Sequence, residues 1–268
     1  MKRAAISLMI ICIAAFLSSG VLALPEDGLV LHFAFDGGSV DGDVVKDLSG
    51  NGNDATIKGG VEATNEGLEF DGADGYVGTA ALDMRTAGNN TFTALCWFKT
   101  DESINGPLWM WGDNANPSSS GDAEAPVGWR ESTGNFAAGF YSGGHFYADA
   151  EETYADGEWH FAAQVGDAAT GYLYVDGEQI SSTTAGYVYS ASPYFLIGAR
   201  TKNSGSDIDN VEYFKGVIRQ VALYNVALSE NDLKAIAAEA IAVSPSAKLA
   251  TAWGQMKKQN QHLRSSGK

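Results

Sequence analysis

The chain has 268 residues, 45% of them hydrophobic, 19% charged and 11% aromatic, a composition that supports a packed core and excludes a disordered polymer. Gly is high at 32 and Pro low at 6, which fits turn-rich β structure and excludes collagen or a proline-rich linker. The net charge is −16, and every acid lies between Glu26 and Glu239, where ten bases face 33 carboxylates; such a body repels nucleic acid and anionic lipid.

Met1-Lys2-Arg3 precede an apolar run at 4–17 and the small-residue site Val21-Leu22-Ala23, the order of a secretory signal cleaved after Ala23. Residues 1–23 are thus expected to direct the protein to the periplasm, cell surface or medium and to leave no transmembrane segment in the mature chain. Cleavage removes Cys12 and leaves Cys96 alone, so neither an intramolecular disulfide nor a Cys-rich zinc site is available. Cys96 falls in Thr91-Phe-Thr-Ala-Leu-Cys-Trp-Phe-Lys99, which reads as a buried strand carrying an inert thiol.

From Gly28 to Asn225, short apolar or alternating runs are broken by Gly, Asn and Asp. The spacing predicts strands at 29–35, 55–58, 67–70, 76–79, 92–100, 107–112, 127–131, 136–141, 145–150, 159–165, 171–175, 178–182, 194–197 and 216–224. Nothing resembling a linker interrupts them, so residues 24–228 read as one β-sandwich domain. Tyr172-Leu-Tyr-Val-Asp-Gly-Glu-Gln-Ile180 is a hairpin in which Asp176-Gly177 supplies the positive φ angles of a type I′ turn. Ser229, with Asp232 three residues on, caps an Ala-rich helix at 230–243, and Ser244-Pro245 stops it. Residues 244–268 hold five bases and no acid and are expected to be a solvated basic tail.

Four motifs carry a family resemblance: Gly28-Leu-Val-Leu-His-Phe-Ala-Phe-Asp36, Asp47-Leu-Ser-Gly-Asn-Gly-Asn-Asp54, Gly67-Leu-Glu-Phe-Asp-Gly-Ala-Asp-Gly-Tyr-Val77 and Asp156-Gly-Glu-Trp-His-Phe-Ala-Ala163. The hairpin, Phe195-Leu-Ile-Gly-Ala199 and the run from Phe214 to Ser229 continue them in order. Over roughly residues 28–240 the chain resembles the laminin-G-like, concanavalin A-like jelly-roll modules of bacterial exported proteins. The resemblance implies an all-β fold of two stacked antiparallel sheets with a concave face, acting as a non-catalytic binding or adhesion module. In the motif at 159–161, Trp159 and Phe161 alternate with His160, which places the indole toward the core and a structural imidazole opposite.

Glycosidases of that fold carry carboxylates on one strand spaced Glu-x-Asp-x-x-Glu. Neither Glu-x-Asp of the mature chain completes it: Glu69-x-Asp71 is followed by Asp74, and Glu230-x-Asp232, on the predicted helix, by Ala235. A Gly-x-Ser-x-Gly elbow and a His-Glu-x-x-His pair are also missing from the sequence, so no catalytic residues are assigned. In related modules a structural calcium is held near the first strand and first loop, which the resemblance carries onto Asp36, Asn51 and Asp54 as candidate ligands. The family's final Ile-Asp-Asp reads Ile218-Arg219-Gln220 here, and Arg219 pairing with Asp36 in place of the ion is the corresponding expectation.

For ligand binding the informative stretch runs from Trp109 to Arg130. It is a long Asn/Asp/Ser loop flanked by Trp111, Trp129 and Arg130, where an indole stacks a sugar ring and Asp113 and Asn114 bond its hydroxyls. Tyr141, Tyr147, Tyr187, Tyr189 and Tyr194 are further aromatic candidates. The functional expectation is an exported carbohydrate-binding or adhesion module whose partner is a glycan or cell-surface polymer. The alternatives are a surface structural or protein-interaction module and, behind it, a polysaccharide hydrolase or lyase.

Overall fold

The computed structural model describes residues 24–36, 38–82, 91–102, 106–112, 123–130, 133–141, 145–184, 194–201 and 211–243; the expected signal at 1–23 and the expected basic tail at 244–268 lie outside them. In chain order the elements are β1 (Leu29–Phe33), β2 (Val40–Asp41), β3 (Val44–Val45), β4 (Ala55–Lys58), β5 (Val61–Ala63), β6 (Leu68–Asp71), β7 (Tyr76–Thr79), β8 (Thr91–Lys99), β9 (Pro107–Gly112) and β10 (Ala123–Trp129). There follow β11 (Phe136–Tyr141), β12 (His145–Asp149), β13 (Trp159–Asp167), β14 (Thr170–Val175), β15 (Glu178–Thr183), β16 (Tyr194–Ile197), β17 (Ala199–Thr201), β18 (Val211–Tyr213), β19 (Lys215–Tyr224) and α1 (Glu230–Val243).

The strands form two large antiparallel sheets and a two-stranded ribbon, β17-β18. Sheet A runs β15-β14-β13-β8-β19-β6-β5, and sheet B runs β12-β11-β10-β9-β16-β7-β4-β3-β2. The long strand β19 pairs through Lys215–Ile218 with β6 and through Val221–Tyr224 with β1, so two short strands share one of its edges end to end. A bulge separates the halves: Gln220 has a φ of 50° and the register with β8 shifts between Arg219 and Ala222. One added residue keeps Ile218, Val221 and Leu223 all on the inner face.

The main core lies between the sheets, with Phe33, Phe70, Phe98, Trp109, Trp129, Phe136 and Phe195 at its centre. A second apolar layer covers the outer face of sheet A, where Leu95, Trp97, Phe161, Ala163 and Tyr224 pack beneath Leu233, Ile236 and Ala237 of α1. Burial on both faces explains why β8 is an unbroken apolar run rather than an alternating one. It also leaves Cys96 buried, with desolvation pushing its thiol well up.

Local chemistry sets the boundaries. Strand β1 stops at Phe33, two residues short of the expected end, because Phe35 turns left-handed at φ 52°. Asp176 and Gly177 adopt φ 52° and 85° at the tip of the β14–β15 hairpin, as the Asp-Gly pair predicts. A Cβ on Gly177 would meet the Lys234 Cα at 3.1 Å, so the turn also seats α1. Ser229 Oγ accepts the Asp232 N–H at 3.2 Å while the Asp232 carboxylate accepts from Ser229, the acidic capping box expected there.

The facing of Trp159 and His160 is the reverse of the sequence expectation. Trp159 and Phe161 join the outer layer under α1, whereas His160 packs against Phe98 of the inner core. His160 Nδ1 lies 2.9 Å from Asp176 Oδ2 and Nε2 lies 3.2 Å from Asp156 Oδ1. The imidazole thus ties the 154–158 turn to the hairpin tip. A buried polar link joins the sheets themselves: the Trp109 indole donates to Gln164 Oε1 at 3.1 Å, and Gln164 Nε2 donates to the Gly139 carbonyl.

Two outcomes follow. Gln164→Ala strands the Trp109 indole N–H and the Gly139 carbonyl in the core, and a loss of about 2–4 kcal/mol is expected in urea unfolding. The hydrogen bond that His160 donates to the Asp176 carboxylate, aided by Asp156, holds the His160 pKa above its ordinary value of 6.5. Its stabilisation is therefore fully present below pH 6.5 and lost as pH rises through the raised folded value. The difference in stability between wild type and His160→Gln is accordingly largest near pH 5 and gone near pH 9. His32, buried and held below 6.5 by desolvation, has the opposite slope in both proteins and cancels in that difference.

Candidate functional site

The Asp47–Asp54 loop is built around one carboxylate. Asp47 Oδ1 accepts the backbone N–H groups of His32 and Ser49 at 2.9 Å, and Oδ2 accepts the Ser49 hydroxyl and the Asn53 N–H at 2.8 and 2.9 Å. Ser49, Asn51 and Asn53 then donate to the Val30 carbonyl, and Asn51 also to that of Leu29. These bonds pin the loop to β1.

The three expected calcium ligands are engaged in the same way. Asp36 Oδ1 accepts the N–H groups of Gly38 and Ser39 at 3.1 and 2.9 Å, Asn51 turns its amide onto β1, and Asp54 pairs with Lys46 at 2.7 Å while accepting the Asp47 N–H. Among the described residues, no three His, Cys, Asp or Glu side chains gather as a cation site. Arg219 does not reach Asp36 either. Its guanidinium stacks 4.2 Å from the centroid of Trp159, its Nε buried without a partner. The register of β19 explains this, because Arg219 lies opposite Trp97 on the outer face of sheet A.

Of the expected sugar-binding residues, Asp113 and Asn114 lie outside the described residues, as does the side chain of Trp111, whose backbone pairs with Phe195 and Glu124. Trp129 is a correction. It is 2% exposed, packs on Phe98, Phe136 and Phe214, and donates its indole N–H to the Thr153 carbonyl at 2.7 Å. Alternation in β10 sends it inward, so no ring face is left for a sugar.

The same alternation sends Arg130 and the neighbouring Gly128 outward. Gly128 pairs with Pro107 and Ala137, and Ala137 with Asp149. These small residues sink the outer face of sheet B into a niche of about 10 Å³, room for one water-sized group. Gly128 has a φ of 154°, and a Cβ there would come within 2.6 Å of the Pro107 Cα, so no larger residue fits at that point.

Arg130 and Tyr147 form one rim. The guanidinium lies 4.0 Å from the Tyr147 centroid, and its Nη1 meets both carboxylate oxygens of Asp149 at 2.8 and 2.9 Å. Arg200 forms the other rim. It projects from the β17–β18 ribbon opposite Glu212, and its Nε bonds that carboxylate. The sequence pointed to Arg130 and Tyr147 singly, but nothing in it marked Arg200 or Asp149, because the pairings that gather them cross between strands. A wider acidic depression of about 460 Å³ lies at the β5–β6 edge, with Glu62, Glu69 and Asp101 on its lining.

The sequence profile of the concanavalin A-like lectin/glucanases superfamily, laminin-G type, matches residues 70–234. No curated protein matches the sequence. Among solved structures, domain 4 of AbnA, a GH43 extracellular arabinanase from Geobacillus stearothermophilus, in complex with arabinotriose, is similar with a TM-score of 0.58 at 17% identity, over 80% of this chain and 100% of that one. The binding domain of botulinum neurotoxin DC in complex with rat synaptotagmin II gives 0.55 at 12% identity, over 80% of this chain and 52% of that one. Trypanosoma rangeli sialidase gives 0.57 at 18%, over 81% and 34%. The chain thus spans about half of the toxin chain and a third of the sialidase, and likeness at these identities is likeness of fold.

If Asp47 rather than a cation organises the first loop, Asp47→Ala lowers stability by about 2–4 kcal/mol. Exchange of the loop amides rises with it, and chelator leaves the melting temperature of the wild type unchanged.

Proposed function

Because the chain belongs to the concanavalin A-like lectin/glucanases superfamily, we propose that it is an exported, non-catalytic carbohydrate-binding or adhesion module whose ligand meets the outer face of sheet B. The observation that carries this reading is the Arg130–Tyr147–Arg200 niche: polar donors and an aromatic ring around a floor of small residues, on a rigid sheet. The arabinanase domain supports it, since the likeness spans that whole domain and it holds arabinotriose.

A non-catalytic role agrees with the side chains present. Both carboxylates bordering the niche, Asp149 and Glu212, are held by guanidinium groups, an arrangement that orients arginines rather than transfers protons. The toxin domain, whose partner is a protein, favours a second reading as a protein-interaction module.

A glycan array with residues 24–268 separates the two. Saturable binding to one glycan class is expected, reduced about tenfold or more by Tyr147→Ala without loss of fold, and with no release of reducing ends. A blank array with folded protein moves the assignment to a protein partner.

A further inference from the structure

The chemistry left over at the niche selects among glycans. Arg130 spends Nη1 on Asp149 and Arg200 spends Nε on Glu212. Among the described residues, Arg130 Nε and Nη2 and both Nη groups of Arg200 make no hydrogen bond. The arginine side chains are only 27% and 15% exposed, so these are half-sheltered donors on either side of a space that admits one small group.

The unused guanidinium atoms there are all N–H donors. A sugar hydroxyl entering the niche would accept from these groups, but its own O–H would have to compete with the guanidinium groups for Asp149 and Glu212. A carboxylate is acceptor-only, carries two oxygens, and matches the planar fork of a guanidinium. The two existing ion pairs fix both forks in place, so little side-chain freedom is lost on binding.

We propose that the niche is a subsite for the carboxylate of an acidic sugar, a uronate or similar, which places one oxygen in the niche and is held at its mouth by the unused edges of Arg130 and Arg200. This rests on the carbohydrate-binding reading and narrows it to anionic glycans. The domain around it is strongly acidic, with every carboxylate of the chain between Glu26 and Glu239, and repels a polyanion at long range, so recognition is local, and added salt screens the repulsion as well as the contact.

The test uses the mature chain against polygalacturonate, alginate and hyaluronan, each beside its carboxyl-reduced counterpart, with a set of neutral glycans in the same array. Binding confined to the carboxylated forms is expected, weakened about tenfold or more by Arg200→Gln. The paired variant Arg200→Gln/Glu212→Gln removes the Arg200–Glu212 ion pair as a unit and loses binding equally, with the fold verified by its melting temperature. Equal binding to carboxylated and reduced polymers, or to neutral glycans with no effect of either variant, overturns the carboxylate subsite and leaves the carbohydrate reading standing. A blank across the whole array with folded protein removes both.

Discussion

Gln164 reaches out of sheet A to two strands of sheet B, accepting from Trp109 on β9 and donating to Gly139 on β11. In a core otherwise filled with Phe, Leu and Val, apolar contacts fix how closely the sheets pack, but they say little about how one slides over the other. A fully buried amide sets that offset, because its alternatives leave polar groups unpaired in the core. The niche depends on it. Pro107 on β9 and Ala137 on β11 line the niche from the two strands that Gln164 holds, with Gly128 on β10 between them, so the floor inherits its alignment from a bond on the far side of the sheet.

Much of the architecture was legible because strand patterning is local. The Asp176-Gly177 hairpin and the Ser229–Asp232 cap each need only a few adjacent residues, and both formed where the residues placed them. The two- and three-residue strands β2, β3, β5, β17 and β18 escaped notice, since a ladder that short shows no period. Alternation also reports which residues share a face without saying which face is inner. Where α1 covers the outside of sheet A, both faces are apolar, and Trp159 went outward while His160 went in.

The site was less legible for a related reason. Trp129 and Arg130 are adjacent in sequence and both suit a sugar, yet the pleat sends one into the core and the other to the rim. Arg130 gains its setting from Tyr147 and Asp149, and Arg200 from Glu212 across a ribbon; such pairings are properties of register. The Asp-Leu-Ser-Gly-Asn-Gly-Asn motif gives the converse lesson. Its oxygen-rich composition suggests a cation, but its carboxylate and amides are consumed in tying a loop to the backbone of β1.

The outer layer of sheet A gathers more than α1. Leu24, where the described chain starts, packs against the same apolar patch as the helix. Leu24 and α1 therefore cover one side of the sandwich, and the arginine niche looks out from the other. The fold itself thus makes the two outer faces unlike: one is sealed by apolar packing, and the other is left to meet its surroundings.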